Sequence, residues 1–215
     1  MPSSLVIGGA GRTGRHIVDR LRRDGAAVKV LSRNPDRVPD GVEAIAGDIT
    51  RPDSVAAAMR GVDSVVLVVE SAMNDDGSPN SPTAVHDQGT ANVIAAAADG
   101  AHVVMVSQIY ITRPDAFPAA ADVIAARGRG EQALRDSALA CTIVRPSWLT
   151  DDPGGRQALR LEQGDTGDGQ VARADVAEAV AQSLTHPEAR GKTFELYGEA
   201  GEPPTDWAPL FARLQ

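Results

Sequence analysis

The chain has 215 residues, of which 42% are hydrophobic and 3% aromatic, and a formal net charge of −8. That length suits one domain, or one domain with a small appendage, and the acidic balance argues against a nucleic-acid groove, which needs clustered lysine and arginine. Only two lysines, Lys29 and Lys192, are present, which argues against polybasic membrane attachment, and the single Cys141 leaves neither an internal disulfide nor a zinc cluster. No apolar run approaches the roughly 20 residues of a membrane span and no signal peptide precedes the first strand pattern, so a cytoplasmic protein without nucleic-acid or membrane partners is expected.

Strand and helix patterns alternate through the first two thirds. Ser4–Ile7 reads as a strand, and 12–24 as a helix with Ile17, Val18 and Leu21 on one face and Gly25 as its stop. Strands follow at 27–31 and 42–46, a helix at 51–60, and at 63–69 a nearly continuous apolar run typical of a parallel strand covered on both faces. Residues 70–82 are a loop rich in Ser, Asn, Asp, Gly and Pro. A long helix is expected over 83–99, a strand at 102–106, a helix over 123–137 and a strand at 139–144. Cys141, inside that last strand, reads as a buried inert thiol.

Strands separated by helices imply βαβ units, and hence an α/β fold: a Rossmann-type doubly wound parallel sheet with helices on both faces. The final third is less regular, with a short strand at 156–161, a helix at 173–185, a strand at 192–196 and a terminal helix within 203–215. We expect a single domain over 1–215, in which 146–215 contributes most of a small substrate-side lobe.

The chemistry begins with the glycines between the first strand and helix. Gly9, Gly11 and Gly14 satisfy one phosphate-loop spacing, and Gly8, Gly11 and Gly14 another. In both, one glycine permits the turn, one lets backbone approach a pyrophosphate, and one lets helix and strand pack closely. Free N–H groups at the helix start then favour the anion. An NAD site usually carries an acid at the end of the second strand, on the ribose 2′-OH. Here Arg33 stands there, with Arg37 four residues on. Either this is a solvated basic turn or Arg33 binds a 2′-phosphate by charge-assisted hydrogen bonds, and the second reading makes the cofactor NADP(H) in preference to NAD(H). Asp48, after the third strand, is placed to accept from an adenine amino group or to cap the next helix, although Thr50 and Asp53 are better placed for the cap.

With these residues in place the chain resembles the NmrA-like, NAD(P)-binding branch of the atypical short-chain dehydrogenase/reductases, including its flavin and quinone reductases. The resemblance runs through Gly8-Gly9-Ala10-Gly11-Arg12-Thr13-Gly14, Ser32-Arg33-Asn34-Pro35, Gly47-Asp48-Ile49-Thr50, residues 61–66, Val106-Ser107, residues 142–149 and Arg173-Ala174-Asp175-Val176-Ala177. It favours the Gly8, Gly11, Gly14 spacing. It implies that Gly8, Gly11, Arg12, Thr13 and Gly14 hold the phosphates, Arg33 the 2′-phosphate, and Asp48 with Ile49 the adenine. Val68 and Val69 would lie under the adenosine ribose, Ser107 beside the nicotinamide, and Pro146 against the carboxamide.

Reductases of this superfamily commonly use Tyr-x-x-x-Lys, one helical turn apart, to protonate a carbonyl. Matching Glu131-Gln132-Ala133-Leu134-Arg135 to the segment after that motif puts Val123 at the tyrosine and Arg127 at the lysine. Valine carries no proton and arginine does not release one. Three candidates remain for catalysis: Ser107 bonding a substrate oxygen, Tyr110 aimed at the nicotinamide or packed on the sheet edge, and Arg127 stabilising an oxyanion or lying on the helix surface. His86, His102 and Asn92 read as structural, no metal site is expected, and Trp148, Leu149 and the loop 150–156 read as a pocket wall. Three functions are compatible with this site: an NADPH-dependent reductase of small conjugated acceptors (quinone, flavin or enone), an NADP(H)-binding redox sensor without turnover, and a non-redox isomerase or cyclase. The partner expected is a small-molecule substrate, and the chain is read as a monomer or homodimer.

Overall fold

The computed structural model describes residues 3–215. Its main sheet has eight strands: β1 (Ser3–Ile7), β2 (Ala27–Ser32), β3 (Glu43–Ala46), β4 (Ser64–Leu67), β5 (His102–Val106), β6 (Ala140–Pro146), β8 (Ala158–Glu162) and β10 (Thr193–Glu199). The order is β3-β2-β1-β4-β5-β6-β10-β8, parallel throughout except for the β10–β8 pair at one edge. A separate two-stranded sheet pairs β7 (Trp148–Thr150) with β9 (Gln170–Ala172).

Alternation along the strands feeds two cores. Val6, Val30 and Val66 face α1 (Arg12–Arg23) and α5 (Arg173–Thr185), against Ile17, Leu21, Val176 and Val180. Leu5, Ile7 and Leu67 face the opposite layer of α2 (Pro52–Ala58), α3 (Gly89–Ala96) and α4 (Ala121–Asp136), against Val55, Val93 and Leu134. Helices thus cover both faces, as a doubly wound sheet requires.

One buried ion cluster ties the end of this sheet to the helical layer. Arg145 on β6 reaches Glu131 of α4 at 2.6 Å and Glu195 of β10 at 3.0 Å, with both carboxylates essentially inaccessible. Burial pushes the Glu195 carboxyl up, and its Oε2 accepts from the Asp165 backbone N–H at 3.0 Å.

Several boundaries differ from the sequence pattern. The helix predicted over 83–99 opens as a wide π turn, Thr83–Gln88, and ends at Ala96, because Ala97 is extended with ψ 137°. The all-alanine stretch there carries no stop signal. The terminal helix shrinks to α6 (Ala208–Ala212), because Pro203 and Pro204 hold the preceding chain out of the α region. The strands β7 and β9 went unpredicted, since three residues are too few to show alternation. Finally, 146–215 divides between the two sheets: β8 and β10 extend the main one, and β7 and β9 stand apart.

Candidate active site

Strand order reverses between β1 and β4, and in open α/β sheets the crevice at such a switch point receives the ligand. The glycine loop after β1 occupies it. Gly8 has φ +94°, a left-handed conformation, and a Cβ there would collide with the Val68 carbonyl that follows β4. A Cβ on Gly14 would strike the Gly8 carbonyl, and one on Gly9 would press on Val30 and Val18. The structure therefore gives a reason for glycine in both spacings. Gly11 is the N-cap of α1 and no side chain caps that helix. Its first-turn N–H groups are left for an anion, so the cradle fits a dinucleotide pyrophosphate. Arg12 is exposed at the start of α1, whereas Thr13 is buried.

Two cavities open from this loop and share Gly11, Val68, Val69 and Glu70. The smaller, about 260 Å³, is bordered by Arg33, Arg37, Asp48 and Ile49. Arg33 is exposed and donates through Nη1 to Asn80 Oδ1 at 3.0 Å. Asp48 Oδ1 accepts from the Thr50 N–H and hydroxyl at 2.9 and 3.0 Å, so its side chain shapes the turn; the N-cap of α2 is Arg51, without any side-chain cap. Asn92 holds the Ile49 carbonyl at 2.9 Å, a packing role.

The larger cavity, about 420 Å³, gathers Ser107, Tyr110, Arg127 and Pro146 from the ends of β5 and β6 and from α4. Ser107 is 5% exposed and its hydroxyl has no partner. Arg127 is not the surface charge that was one of its two expected readings. It is 6% exposed, and its Nη2 donates to Glu70 at 2.8 Å and, at 3.4 Å, to the Val69 carbonyl, while Nη1 reaches the Val106 carbonyl at 3.4 Å. Tyr110 lines the cavity with φ +74°, and its hydroxyl donates to Asp168 Oδ2 at 2.8 Å in place of any group in the cavity. Burial, then that carboxylate, push its phenol pKa up. Val123 is buried within α4.

Tyr110, Phe117 and Trp148 form an aromatic wall, with ring centroids 5.2 to 6.2 Å apart. The loop carrying Tyr110 is pinned by Asp165, whose carboxylate accepts from the Tyr110 and Thr112 N–H groups, each at 2.8 Å. Of the wall expected from Trp148, Leu149 and 150–156, the first two line this cavity and Asp151 pairs with Arg173. Thr150, Asp152, Pro153 and Arg156 instead line a separate cavity. His86 lies behind Arg127, and burial with that cation pushes its pKa down to about 2. It donates through Nε2 to Ser71 at 3.1 Å, since the Ser71 hydroxyl is used on the Ala72 carbonyl.

Sequence reasoning missed Glu70, Phe117, Ser147, Asp165 and Arg173 as site groups. Arg173 was visible only as part of a family motif, and the run Gly164-Asp165-Thr166-Gly167-Asp168-Gly169 marks a turn without showing that Asp165 will lie beneath Tyr110.

The comparisons with known proteins agree with this geometry. The profile of the NAD(P)H-binding family matches residues 8–187. The chain is 35% identical over 205 residues to (4-alkanoyl-5-oxo-2,5-dihydrofuran-3-yl)methyl phosphate reductase of Streptomyces griseus subsp. griseus, covering 90% of this chain and 67% of the relative. It is 27% identical over 259 residues to sanguinarine reductase of Eschscholzia californica, covering 98% and 95%. Among solved structures, the oxidoreductase ylbE from Lactococcus lactis superposes at a TM-score of 0.79 with 19% identity, over 93% of this chain and 92% of that one, which shows a shared fold. The chain belongs to the NAD(P)H-binding family whose profile matches residues 8–187, an oxidoreductase family with reductases among its members.

Proposed function

We propose that this protein is an NADPH-dependent reductase of a flat, conjugated acceptor of the quinone, flavin or enone type. The observation that carries this reading is the state of Tyr110. Among the described residues lining the larger cavity it is the one phenol, and its hydroxyl is bonded to Asp168. Among the described residues, no lysine or histidine lines that cavity. A simple ketone needs an acid beside its oxygen, whereas a conjugated acceptor delocalises the added charge and takes its proton from solvent.

When bound, the cofactor would supply the hydride. The chain's own residues would position and stabilise. Gly8, Gly11, Arg12, Thr13 and Gly14 would hold the phosphates, and Arg33 with Arg37 the 2′-phosphate that distinguishes NADPH from NADH. Asp48 and Ile49 would border the adenine, Val68 and Val69 the ribose, and Pro146 the carboxamide. The free Ser107 hydroxyl would donate to an acceptor oxygen, and the Arg127 guanidinium would stabilise the negative charge that develops there. The aromatic wall would stack on a planar ring system. Names of two relatives, both reductases, support the reaction class.

The test is NADPH consumption with a panel of quinones, flavins and enones, beside simple ketones. Turnover with conjugated members alone is expected. Tight NADPH binding with no turnover across the panel overturns the reading.

A further inference from the structure

Buried arginines in this protein fall into two kinds. Arg145 has its guanidinium held by two carboxylates that are themselves buried, Glu131 and Glu195. Arg127 and Arg173 are buried as deeply, each 6% exposed, but each carries only one carboxylate from the solvent side: Glu70 at 78% side-chain exposure and Asp151 at 70%. Both line the larger cavity. A water-exposed carboxylate is a weak, screened partner, so the cavity keeps an excess of positive charge in a low-dielectric setting, where charge discriminates strongly between ligands.

Arg127 is accounted for by its place near Ser107. Arg173 is not. It is the first residue of α5, directly after Ala172, which pairs with Thr150 in the small β7–β9 sheet. The register therefore sets it beside the strand that presents Trp148 and Leu149 to the cavity. Its Nη1 donates to Asp151 at 2.7 Å, its Nε is buried with no partner, and the hydroxyl of Ser147, which lines the same cavity and is 4% exposed, has none. A guanidinium Nε and a hydroxyl left without acceptors, on two residues that line a cavity with an aromatic wall, are a costly arrangement unless a ligand completes it.

We propose that Arg173, with Ser147, forms an oxyanion-binding subsite for a carboxylate or phosphate carried by the acceptor. This deepens the reductase reading and rests on it. The substrate class becomes a planar conjugated acceptor with an acidic substituent: the ring system packs on Tyr110, Phe117 and Trp148, and the acid reaches the start of α5. The helix adds its positive end, uncapped by any side chain.

The experiment uses the full chain saturated with NADP+ and two redox-inert probes of one shape, 2-naphthoate and its neutral amide, 2-naphthamide, titrated by calorimetry. The naphthoate should bind at least about tenfold more tightly, in keeping with a charge-assisted pair. Arg173→Gln should remove that preference while leaving the naphthamide and NADP+ affinities unchanged, which also shows that the variant is folded. Arg173→Lys should keep part of it. Equal binding of the two probes, no binding of the naphthoate, an equal loss of both in Arg173→Gln, or a loss of NADP+ affinity in place of the preference overturns the subsite. The readout needs no turnover, so a naphthoate preference in a protein that reduces no conjugated acceptor would leave the subsite standing and remove the reductase reading alone.

Discussion

Arg127 Nη2 donates to the Glu70 carboxylate at 2.8 Å, linking the middle of α4 to the chain just beyond β4. The two partners are unequal, since the guanidinium is buried and the carboxylate lies in water. Glu70→Gln should therefore change unfolding free energy by less than about 1 kcal/mol. Arg127→Met, which removes the charge near Ser107, should lower kcat by about 10- to 100-fold, as for loss of one oxyanion stabiliser. Steady-state kinetics with the best acceptor of the panel, beside denaturant titrations, checks both. An unchanged kcat in Arg127→Met removes it from the chemistry.

Arg33 sits exposed at the mouth of the smaller cavity, and its hydrogen-bond acceptor is a single neutral amide oxygen on Asn80. That bond is readily exchanged for a phosphate. Arg33→Ala should weaken NADPH binding by about 10- to 100-fold and leave NADH binding as it was. The contrast is read by fluorescence titration of both cofactors, and a parallel loss for the two would assign Arg33 to something other than the 2′-phosphate.

Asp165 is 1% exposed and accepts from the Tyr110 N–H, the Thr112 N–H and the Thr112 hydroxyl. Asp165→Ala would strand these donors and should cost on the order of 3 kcal/mol of stability. It should also raise the acceptor KM, because the aromatic wall hangs from this loop, with little effect on NADPH affinity. Asp165→Asn keeps one acceptor oxygen and should fall between. An unchanged KM in a destabilised Asp165→Ala would show that the wall is set by other contacts.

His102 donates through Nε2 to Thr142 Oγ1 at 2.9 Å, because that hydroxyl is itself used on the Ala189 carbonyl at 2.8 Å. Its Nδ1 is buried with no partner, and burial, with Arg190 nearby, pushes the pKa from 6.5 down to about 4. Below about pH 6.5 the unfolded chain binds a proton that the folded chain refuses, so folding stability must fall with falling pH. The loss levels off below about pH 4 and amounts to roughly 3 kcal/mol. Buried His86 acts in the same direction to lower pH, so the difference between wild type and His102→Gln isolates His102. Unfolding free energies across pH 4 to 7 should fall less steeply in the variant, and parallel curves would refute the assignment.

The layers of this fold were legible because they follow from periodicity: apolar runs such as 63–69 are parallel strands, and Ile17, Val18 and Leu21 mark one face of a helix. The glycine loop was legible for the same local reason. What escaped prediction is settled by contacts distant in sequence. Nothing around Asp165 shows that it will meet Tyr110, 55 residues away, and nothing in Tyr110 shows that its hydroxyl will turn to Asp168. Arg127 could not be assigned between surface and cavity, because α4 has alanine and glycine on several sides and little amphipathic contrast.

The bridge from Arg145 to Glu131 and Glu195 has a consequence for how the molecule comes apart. Glu195 lies on the last strand to join the sheet, 50 residues beyond Arg145. Peeling that strand away would leave a guanidinium inside the protein with only Glu131 to compensate it, a penalty of several kcal/mol. The expected outcome is a single cooperative thermal transition for the whole chain, and loss of the folded state, read by circular dichroism, in a chain truncated before Thr193.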